Sequence, residues 1–196
     1  MNISAIVMAS GLSKRMGKDK LHLEINSKKI YEYVLETISQ YNFYETIVAA
    51  KDDDIIREAE KLGFLGVKNE KYYMGQSESI KISLENLSNA DGYMFFVADQ
   101  PFIKLATVEK LCDEFNKNPG SIIVPYYNGI KGNPVIFPRI LKDQLMAIKN
   151  DSGGKTVINN NQDKVIKVDI ETTDEFMDID TIEDYESVIR RRQNNE

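Results

Sequence analysis

The sequence predicts an α/β fold with a largely parallel β-sheet, because short apolar runs alternate with amphipathic stretches along most of the chain. The apolar runs have the length of buried strands, and the stretches between them have the period of helices. Strands are predicted at residues 3–8, 46–50, 63–67, 93–98 and 121–125. Helices are predicted between them at residues 30–38, 53–62, 77–87 and 105–116.

The C-terminal part of the chain continues this pattern, with strands predicted at residues 134–137 and 165–168 and helices at 140–148 and 182–191. A chain of 196 residues with 42% hydrophobic content can bury a substantial core. No linker-like or low-complexity stretch interrupts it, so residues 1–196 are predicted to form a single domain. Only the polar tail at 190–196 is expected to fray.

The composition excludes several classes of protein. Lys and Arg number 25 against 31 Asp and Glu, a formal net charge of -6, so a generally basic surface for nucleic acid is not expected. No signal peptide or membrane span is recognisable, so we expect a cytoplasmic protein without membrane contact. Cys112 is the one cysteine, and its spacing from apolar neighbours indicates a core thiol. His22 is the one histidine, which excludes multi-histidine metal sites.

A basic loop after the first predicted strand is the strongest functional signal in the chain. The stretch from Val7 to Leu21 reads VMASGLSKRMGKDKL. Its glycines allow the backbone to approach an anion closely, and its serines can donate hydroxyl hydrogen bonds. Its charge comes from Lys14, Arg15, Lys18 and Lys20. On an acidic chain this loop indicates a small anionic ligand such as a nucleotide, and the alternative is a solvated lysine-rich turn.

Two common phosphate-binding loops do not match this stretch. A Walker A loop has four residues between its glycines, whereas Gly11 and Gly17 enclose five, and Lys18 is followed by Asp19 instead of Ser or Thr. The dinucleotide-binding pattern GxGxxG is also absent. The longer pattern GxSxRMGxxK is present, and it is formed by Gly11, Ser13, Arg15, Met16, Gly17 and Lys20.

Carboxylates in two further segments are candidate ligands of Mg²⁺. Asp99 follows an apolar strand in FFVADQPF, and a carboxylate at the carboxyl end of a strand can point into a ligand crevice. Asp178 and Asp180 alternate around Ile179, so in an extended segment they face the same side. The alternatives are that Asp99 tightens a turn and that Asp180 caps the last helix with Glu183 as its capping-box partner.

Three loops carry weaker signals. MGQSESIKISL places Gly75, Gln76 and Ser77 before a helix, where the first turn could bind an anion or a base edge, or where Ser77 could simply cap the helix. GNPVIFP at 132–138 indicates a loop that enters a short strand. DSGGKTVI at 151–158 places Lys155 at the start of a helix after two glycines.

Taken in this order, the motifs GxSxRMGxxK, GQSxS, ADQPF, GNPVIFP, DSGGKTVI and DIDTIEDY resemble those of the MobA-like NTP transferases, and within them the molybdenum cofactor cytidylyltransferases. The resemblance implies a three-layer αβα Rossmann-like domain with a mixed, mostly parallel sheet. It also implies that CMP is transferred from CTP to the phosphate of a molybdopterin-type cofactor, with Mg²⁺ and release of pyrophosphate. A molybdenum hydroxylase would then receive the product.

The resemblance also assigns roles to individual residues. The first loop would contact the nucleotide through Ala9, Ser10, Gly11, Leu12 and Ser13. The triphosphate would be held by Arg15 and Lys20, which with Asp99 would be the catalytic residues. The base would lie near Gly75, Gln76 and Ser79. The metal would be bound by Asp99 and Asp180, and the acceptor would face Asn133 and Lys155.

The chain departs from the usual family pattern at three places, and two of them concern the acceptor. The family usually has Pro at the position of Ile182, His at Asn133 and Ala-Arg at Gly154-Lys155. The alternatives are therefore a transferase that uses GTP or acts on a sugar or polyol phosphate. A non-catalytic carrier of a nucleotide or cofactor is the alternative from another class.

Overall fold

The computed structural model describes residues 1–12, 16–17, 19–149, 152–171 and 174–193. The strands are β1 Ile3–Ala9, β2 Glu24–Ile25, β3 Lys28–Lys29, β4 Thr46–Ala50, β5 Leu65–Lys68, β6 Gly92–Val97, β7 Ile122–Tyr127, β8 Ile130–Lys131, β9 Val135–Pro138 and β10 Val165–Asp169. The helices are α1 Ile30–Ser39, α2 Asp53–Lys61, α3 Gln76–Asn86, α4 Leu105–Lys117, α5 Lys142–Met146, α6 Lys155–Asn160 and α7 Ile182–Gln193.

The main sheet is mixed and mostly parallel, as predicted. Within the described residues it has eight strands, with the order β10-β7-β9-β6-β1-β4-β5 and β8 added beside β7. β1 pairs in parallel with both β4 and β6, whereas β9 is antiparallel to β6 and β7. The carboxyl ends of the parallel strands therefore lie at one edge of the sheet, and the start of β9 lies at that same edge.

Helices cover both faces of the sheet, which confirms the three-layer αβα architecture. On β1, Val7 faces a core formed with α1, α2, α4 and α7, while Ile6 faces a second core formed with α3, α5 and α6. Neighbouring side chains of a strand point to opposite faces, so a continuous apolar run suits a strand that is buried on both sides. Cys112 is fully buried on α4, and this burial raises the pKa of its thiol to about 11, as expected of a core thiol.

The boundaries of several elements differ from the predictions. The strand predicted at 63–67 is β5, and it begins at Leu65 instead of residue 63. Gly63 has a φ of 79° and terminates α2 in a left-handed conformation. The helix predicted at 140–148 is a 3₁₀ turn followed by the short α5. The hairpin of β2 and β3 was not predicted, because each strand has only two residues.

Across the parts of the chain that the structure describes, no helix is both long enough and apolar enough to span a bilayer.

Gly92, the first residue of β6, allows close packing against α4. A Cβ atom at this position would lie 2.6 Å from Cζ of the buried Phe115. We therefore expect Gly92→Ala to lower the free energy of unfolding by about 1–3 kcal/mol, because the ring has to move within a packed core. Gly120→Ala is the matched control, since a Cβ there would have no neighbour within 4 Å. Denaturant unfolding of both variants measures the difference, and equal stabilities would contradict this account.

Candidate active site

A cavity of about 680 Å³ opens at the edge of the sheet where the parallel strands end. Two strand ends meet there because β1 and β6 are adjacent and parallel, so the basic loop and the ADQPF segment leave the sheet side by side. Most of the site residues predicted from the sequence line this cavity. They are Ser10, Gly11, Leu12, Lys20, Gly75, Gln76, Ser79, Asp99, Asn133 and Asp180.

Of the predicted site residues that the structure describes, Ala9 and Lys155 are not in this lining. The side chain of Ala9 is 1% exposed and packs in the core. Lys155 lies at a second cavity, described below. The predictions for Ser13 and Arg15 fall outside the described residues.

The ammonium group of Lys20 joins two of the cavity's carboxylates. Its Nζ lies 2.5 Å from Oδ2 of Asp99 and 2.6 Å from Oδ1 of Asp180. Burial disfavours the charged lysine, but the two carboxylates outweigh this effect and raise the pKa of Lys20 above its ordinary value. Residues that are far apart in the sequence therefore form one charged cluster.

The position of Lys20 is fixed by a 3₁₀ turn that follows the basic loop. Asp19 caps this turn, and its Oδ1 accepts a hydrogen bond of 3.2 Å from the backbone N–H of Leu21. The other carboxylate oxygen accepts a hydrogen bond of 2.6 Å from Nζ of Lys51, which follows β4. Leu21 is buried in the core beneath the turn. Local capping and packing together direct Lys20 into the cavity.

The two acidic segments are tied to one another. The backbone N–H of Ile179 donates to the carbonyl oxygen of Asp99 at 3.2 Å, and Nε2 of the buried Gln100 donates to Oδ1 of Asp178 at 2.7 Å. Burial and the nearby charge of Asp99 raise the pKa of Asp178 to about 6. Asp178 and Asp180 both line the cavity, so three carboxylates face the same space.

The last helix, α7, begins with a capping box, but the residues that form it are not the two that the sequence analysis considered. The hydroxyl of Thr181 accepts from the backbone N–H of Asp184 at 3.2 Å, and Oδ2 of Asp184 accepts from the backbone N–H of Thr181 at 2.8 Å. The alternative in which Asp180 caps the helix with Glu183 is therefore wrong by one residue. The Asp180 carboxylate points to Lys20 instead.

The start of α3 contributes a different wall of the cavity. Gly75 has a φ of 105° and precedes the helix, so the alternative in which Ser77 caps the helix is also wrong. The Ser79 hydroxyl accepts a hydrogen bond of 3.0 Å from Nδ2 of the buried Asn69, which fixes the helix to the loop after β5. The exposed side chain of Tyr73 lies at the same wall and was not predicted. An aromatic residue in a polar loop next to a ligand motif was the available signal.

A second cavity of about 330 Å³ adjoins the first. The two cavities share Met8, Gln76, Val97 and Asn133. The walls of the second cavity are mainly apolar side chains, namely Ile80, Phe95, Val135, Phe137, Leu145 and Ile158. Lys155 and Lys131 add positive charge to it. The structure thus brings the two predicted acceptor residues, Asn133 and Lys155, to one compartment.

A further acidic cluster lies on the outer side of the Lys20 turn. Asp19, His22 and Asp52 place one potential ligand atom each within 4.8 Å of one another, a spacing that a metal ion could bridge. His22 had no role in the sequence analysis, and its Nε2 lies 2.7 Å from Oδ2 of Asp54. The ammonium of Lys51 already contacts this cluster, because its Nζ lies 2.6 Å from Oδ2 of Asp19 and 3.7 Å from Oδ2 of Asp52.

Comparison with known proteins gives a consistent match. Residues 5–165 match the family described as the MobA-like NTP transferase domain. A probable molybdenum cofactor guanylyltransferase of Natranaerobius thermophilus is 30% identical over 130 residues, which are 65% of this chain and 62% of that protein. The corresponding protein of Aquifex aeolicus is 36% identical over 59% of this chain and 55% of its own length. The chain thus spans less than two thirds of these two relatives.

Other relatives match along nearly their whole length. The molybdenum cofactor cytidylyltransferase of Escherichia coli strain K12 is 24% identical, and the match covers 93% of each chain. Among solved structures, an Rv0371c homologue from Mycobacterium sp. strain JC1 superposes with a TM-score of 0.85, 24% identity and coverage of 99% and 98%. Rv0371c of Mycobacterium tuberculosis H37Rv, solved with manganese, has a TM-score of 0.81, 23% identity and coverage of 97% and 99%. These likenesses confirm the predicted fold.

The capping box of α7 provides a test of how the Asp180 segment is held. We expect Thr181→Ala to lower the free energy of unfolding by about 1 kcal/mol, because the N–H of Asp184 loses its acceptor. Glu183→Ala is the control, since Glu183 takes no part in this box and its variant should stay within about 0.5 kcal/mol of the parent. Denaturant unfolding measures both variants. A larger loss for Glu183→Ala would restore the capping scheme considered from the sequence, because alanine has no acceptor for the N-cap N–H.

Proposed function

We propose, because the chain belongs to the MobA-like NTP transferase family, that it transfers CMP from CTP to the phosphate of a molybdopterin-type cofactor, with Mg²⁺ and release of pyrophosphate. The observation that carries this proposal is the pair of adjoining cavities. The first contains a buried lysine and three carboxylates, and the second is apolar with lysines at its wall. A cytoplasmic location and a molybdenum hydroxylase as the recipient of the product belong to the same proposal.

The donor set in the first cavity fits a divalent cation. Oxygen atoms of Asp99 and Asp180 converge on a single positive group, and Asp178 adds a third carboxylate nearby. Mg²⁺ prefers oxygen ligands and takes one or two protein carboxylates together with phosphate oxygens. The manganese in the Rv0371c structure supports the use of a divalent metal by this fold. When bound, the ion would neutralise charge on the phosphates.

The residues of the chain would act on the reaction by position and charge. The acceptor phosphate is itself the nucleophile, so the transfer requires no covalent protein intermediate. Lys20 would stabilise the charge that develops on the pyrophosphate leaving group, and the backbone of Ser10 to Leu12 would lie along the nucleotide. Arg15 is assigned to the same triphosphate by the motif alone.

The junction of the two cavities supports in-line attack. Asn133 and Gln76 line both cavities, so an acceptor in the second can direct its phosphate past them into the first. Lys155 would attract that phosphate as a point charge. The apolar walls can pack against the flat faces of a pterin ring, whose polar groups lie only on its edge, whereas a polyol has hydroxyls along its whole carbon chain that would lack partners there.

GTP is the second candidate donor. The two relatives named guanylyltransferases are 30% and 36% identical to this chain in the matched regions, and the cytidylyltransferase is 24% identical. A thermal-shift series with CTP, GTP, ATP and UTP, each with Mg²⁺, distinguishes the donors. Saturation a hundredfold above the dissociation constant adds about 2.7 kcal/mol to the stability. A larger shift with GTP than with CTP would assign a guanylyltransferase.

The variant Asp99→Asn distinguishes a transferase from a non-catalytic carrier of a nucleotide or cofactor. We expect this variant to lose about a hundredfold or more in turnover while it still binds CTP, because a metal ligand next to the phosphates is removed. Pyrophosphate release with CTP, Mg²⁺ and the molybdenum cofactor is the measurement. Asp113→Asn removes the same charge from an exposed position on α4 and should have no effect. If the parent protein bound CTP and the molybdenum cofactor but released no pyrophosphate, a non-catalytic carrier would be favoured.

Lys155→Met tests the assignment of the second cavity. We expect KM for the acceptor to rise about tenfold to a hundredfold, because a charge-assisted contact with its phosphate is lost. KM for CTP should stay unchanged. Lys117→Met, at an exposed position on α4, is the charge-matched control. An equal change in both KM values would place Lys155 outside the acceptor compartment.

A further inference from the structure

The ammonium of Lys20 lies where the carboxylates of Asp99 and Asp180 meet, at 2.5 Å and 2.6 Å from one oxygen of each. The lysine side chain is only 9% exposed, and Asp19 caps the turn that carries it. The ammonium is therefore held inside the cavity as the counter-ion of the two carboxylates.

A divalent ion bound by the same two oxygens would need the same position. Mg²⁺ lies about 2.0–2.1 Å from its oxygen ligands, closer than an ammonium nitrogen does. Two cations that contact the same pair of carboxylate oxygens would repel each other strongly in a partly buried site. The ion and the Lys20 ammonium therefore exclude one another at this point.

We propose that Lys20 is an exchangeable counter-ion, which holds Asp99 and Asp180 together in the nucleotide-free protein and yields them to the divalent ion when the triphosphate binds. The proposal rests on the proposed function in one respect, because the triphosphate receives the displaced ammonium. Its consequence is that metal and nucleotide binding are coupled. The free protein binds a divalent ion weakly, and the nucleotide supplies the anionic partner that releases Lys20 from the carboxylates.

The residue type and its surroundings suit such an exchange. A lysine has a compact charge on a flexible four-carbon stem, so its ammonium can move between partners while its backbone stays in place. Asp178 lies beside the pair and is held by Gln100, so a third carboxylate is present in the cavity when the ammonium moves. Without Lys20, the charges of Asp99 and Asp180 would be left without their shared cation in a partly buried site.

Titration of Mn²⁺ alone into the nucleotide-free protein, followed by electron paramagnetic resonance, tests the exchange. We expect Lys20→Met to bind Mn²⁺ more tightly than the parent protein, on the order of tenfold to a hundredfold, because the competing cation is gone. Lys104→Met is the matched control. Nζ of Lys104 lies 3.6 Å from Oε1 of Glu175, and neither residue lines the cavity. The control should keep the parent affinity.

The added Mn²⁺ affinity must come from the cavity carboxylates. The double variant Lys20→Met with Asp99→Asn should lose the gain, whereas a gain that persists would place the ion elsewhere, as at Asp19, His22 and Asp52, and would overturn the proposal. Equal or weaker binding by Lys20→Met would overturn it as well. Lys20→Gln, which keeps a hydrogen-bond donor, replaces Lys20→Met if that variant does not fold.

The parent protein alone also provides a decisive measurement. Mn²⁺ binding at micromolar concentration without nucleotide, abolished by Asp99→Asn, would show that Lys20 does not compete and would overturn the proposal. Weak binding that strengthens in Lys20→Met or Lys20→Gln supports it. These measurements use no acceptor and no turnover, so a failure of the proposed CMP transfer would leave their outcome unchanged.

Discussion

The reversed direction of β9 is the constraint on which the whole site depends. β9 pairs antiparallel with both β6 and β7, so its first residues meet the carboxyl ends of the parallel strands. Asn133, just before β9, thereby comes to the cavity that also contains Asp99 after β6. A parallel strand at this place would carry Asn133 to the opposite edge of the sheet. The adjoining positions of the two cavities follow from this one change of direction.

The cavity concentrates charge at the edge of an otherwise apolar sheet. The central strands β1, β4 and β6 are buried on both faces, and polar chemistry begins where their backbone pairing ends. Lys20 and three carboxylates then share a space in which each is partly shielded from water. Such a cluster contributes little to stability, because desolvation offsets much of the attraction. In the proposed function, its value would lie in a field already oriented for phosphate and metal.

The sequence predicted much of the fold, and the features that it missed are short or leave only a weak local signal. Long apolar runs such as β1 and β6 were located within two residues, since burial on both faces leaves a clear signal. Gly63 shifted the start of β5, and the hairpin of β2 and β3 is too short to show a period. Most predicted site residues line one cavity, but the assignment of their roles remains a prediction. The capping box of α7 follows the local pattern Thr-x-x-Asp, and Tyr73 is an aromatic residue in a polar loop, so both left short signals that are weaker than a long apolar run.

The pairing of Lys20 with its two carboxylates has a consequence for folding order. Lys20 is 160 residues from Asp180 along the chain, a wider separation than that of paired residues of β1 and β6 such as Ile3 and Gly92. A contact of wider separation forms later, because more loop entropy is lost before the contact is gained. β1 and β6 can therefore pair while Asp180 is still absent from the charged cluster. The arrival of the C-terminal segment is then the step that turns a folded sheet into a site.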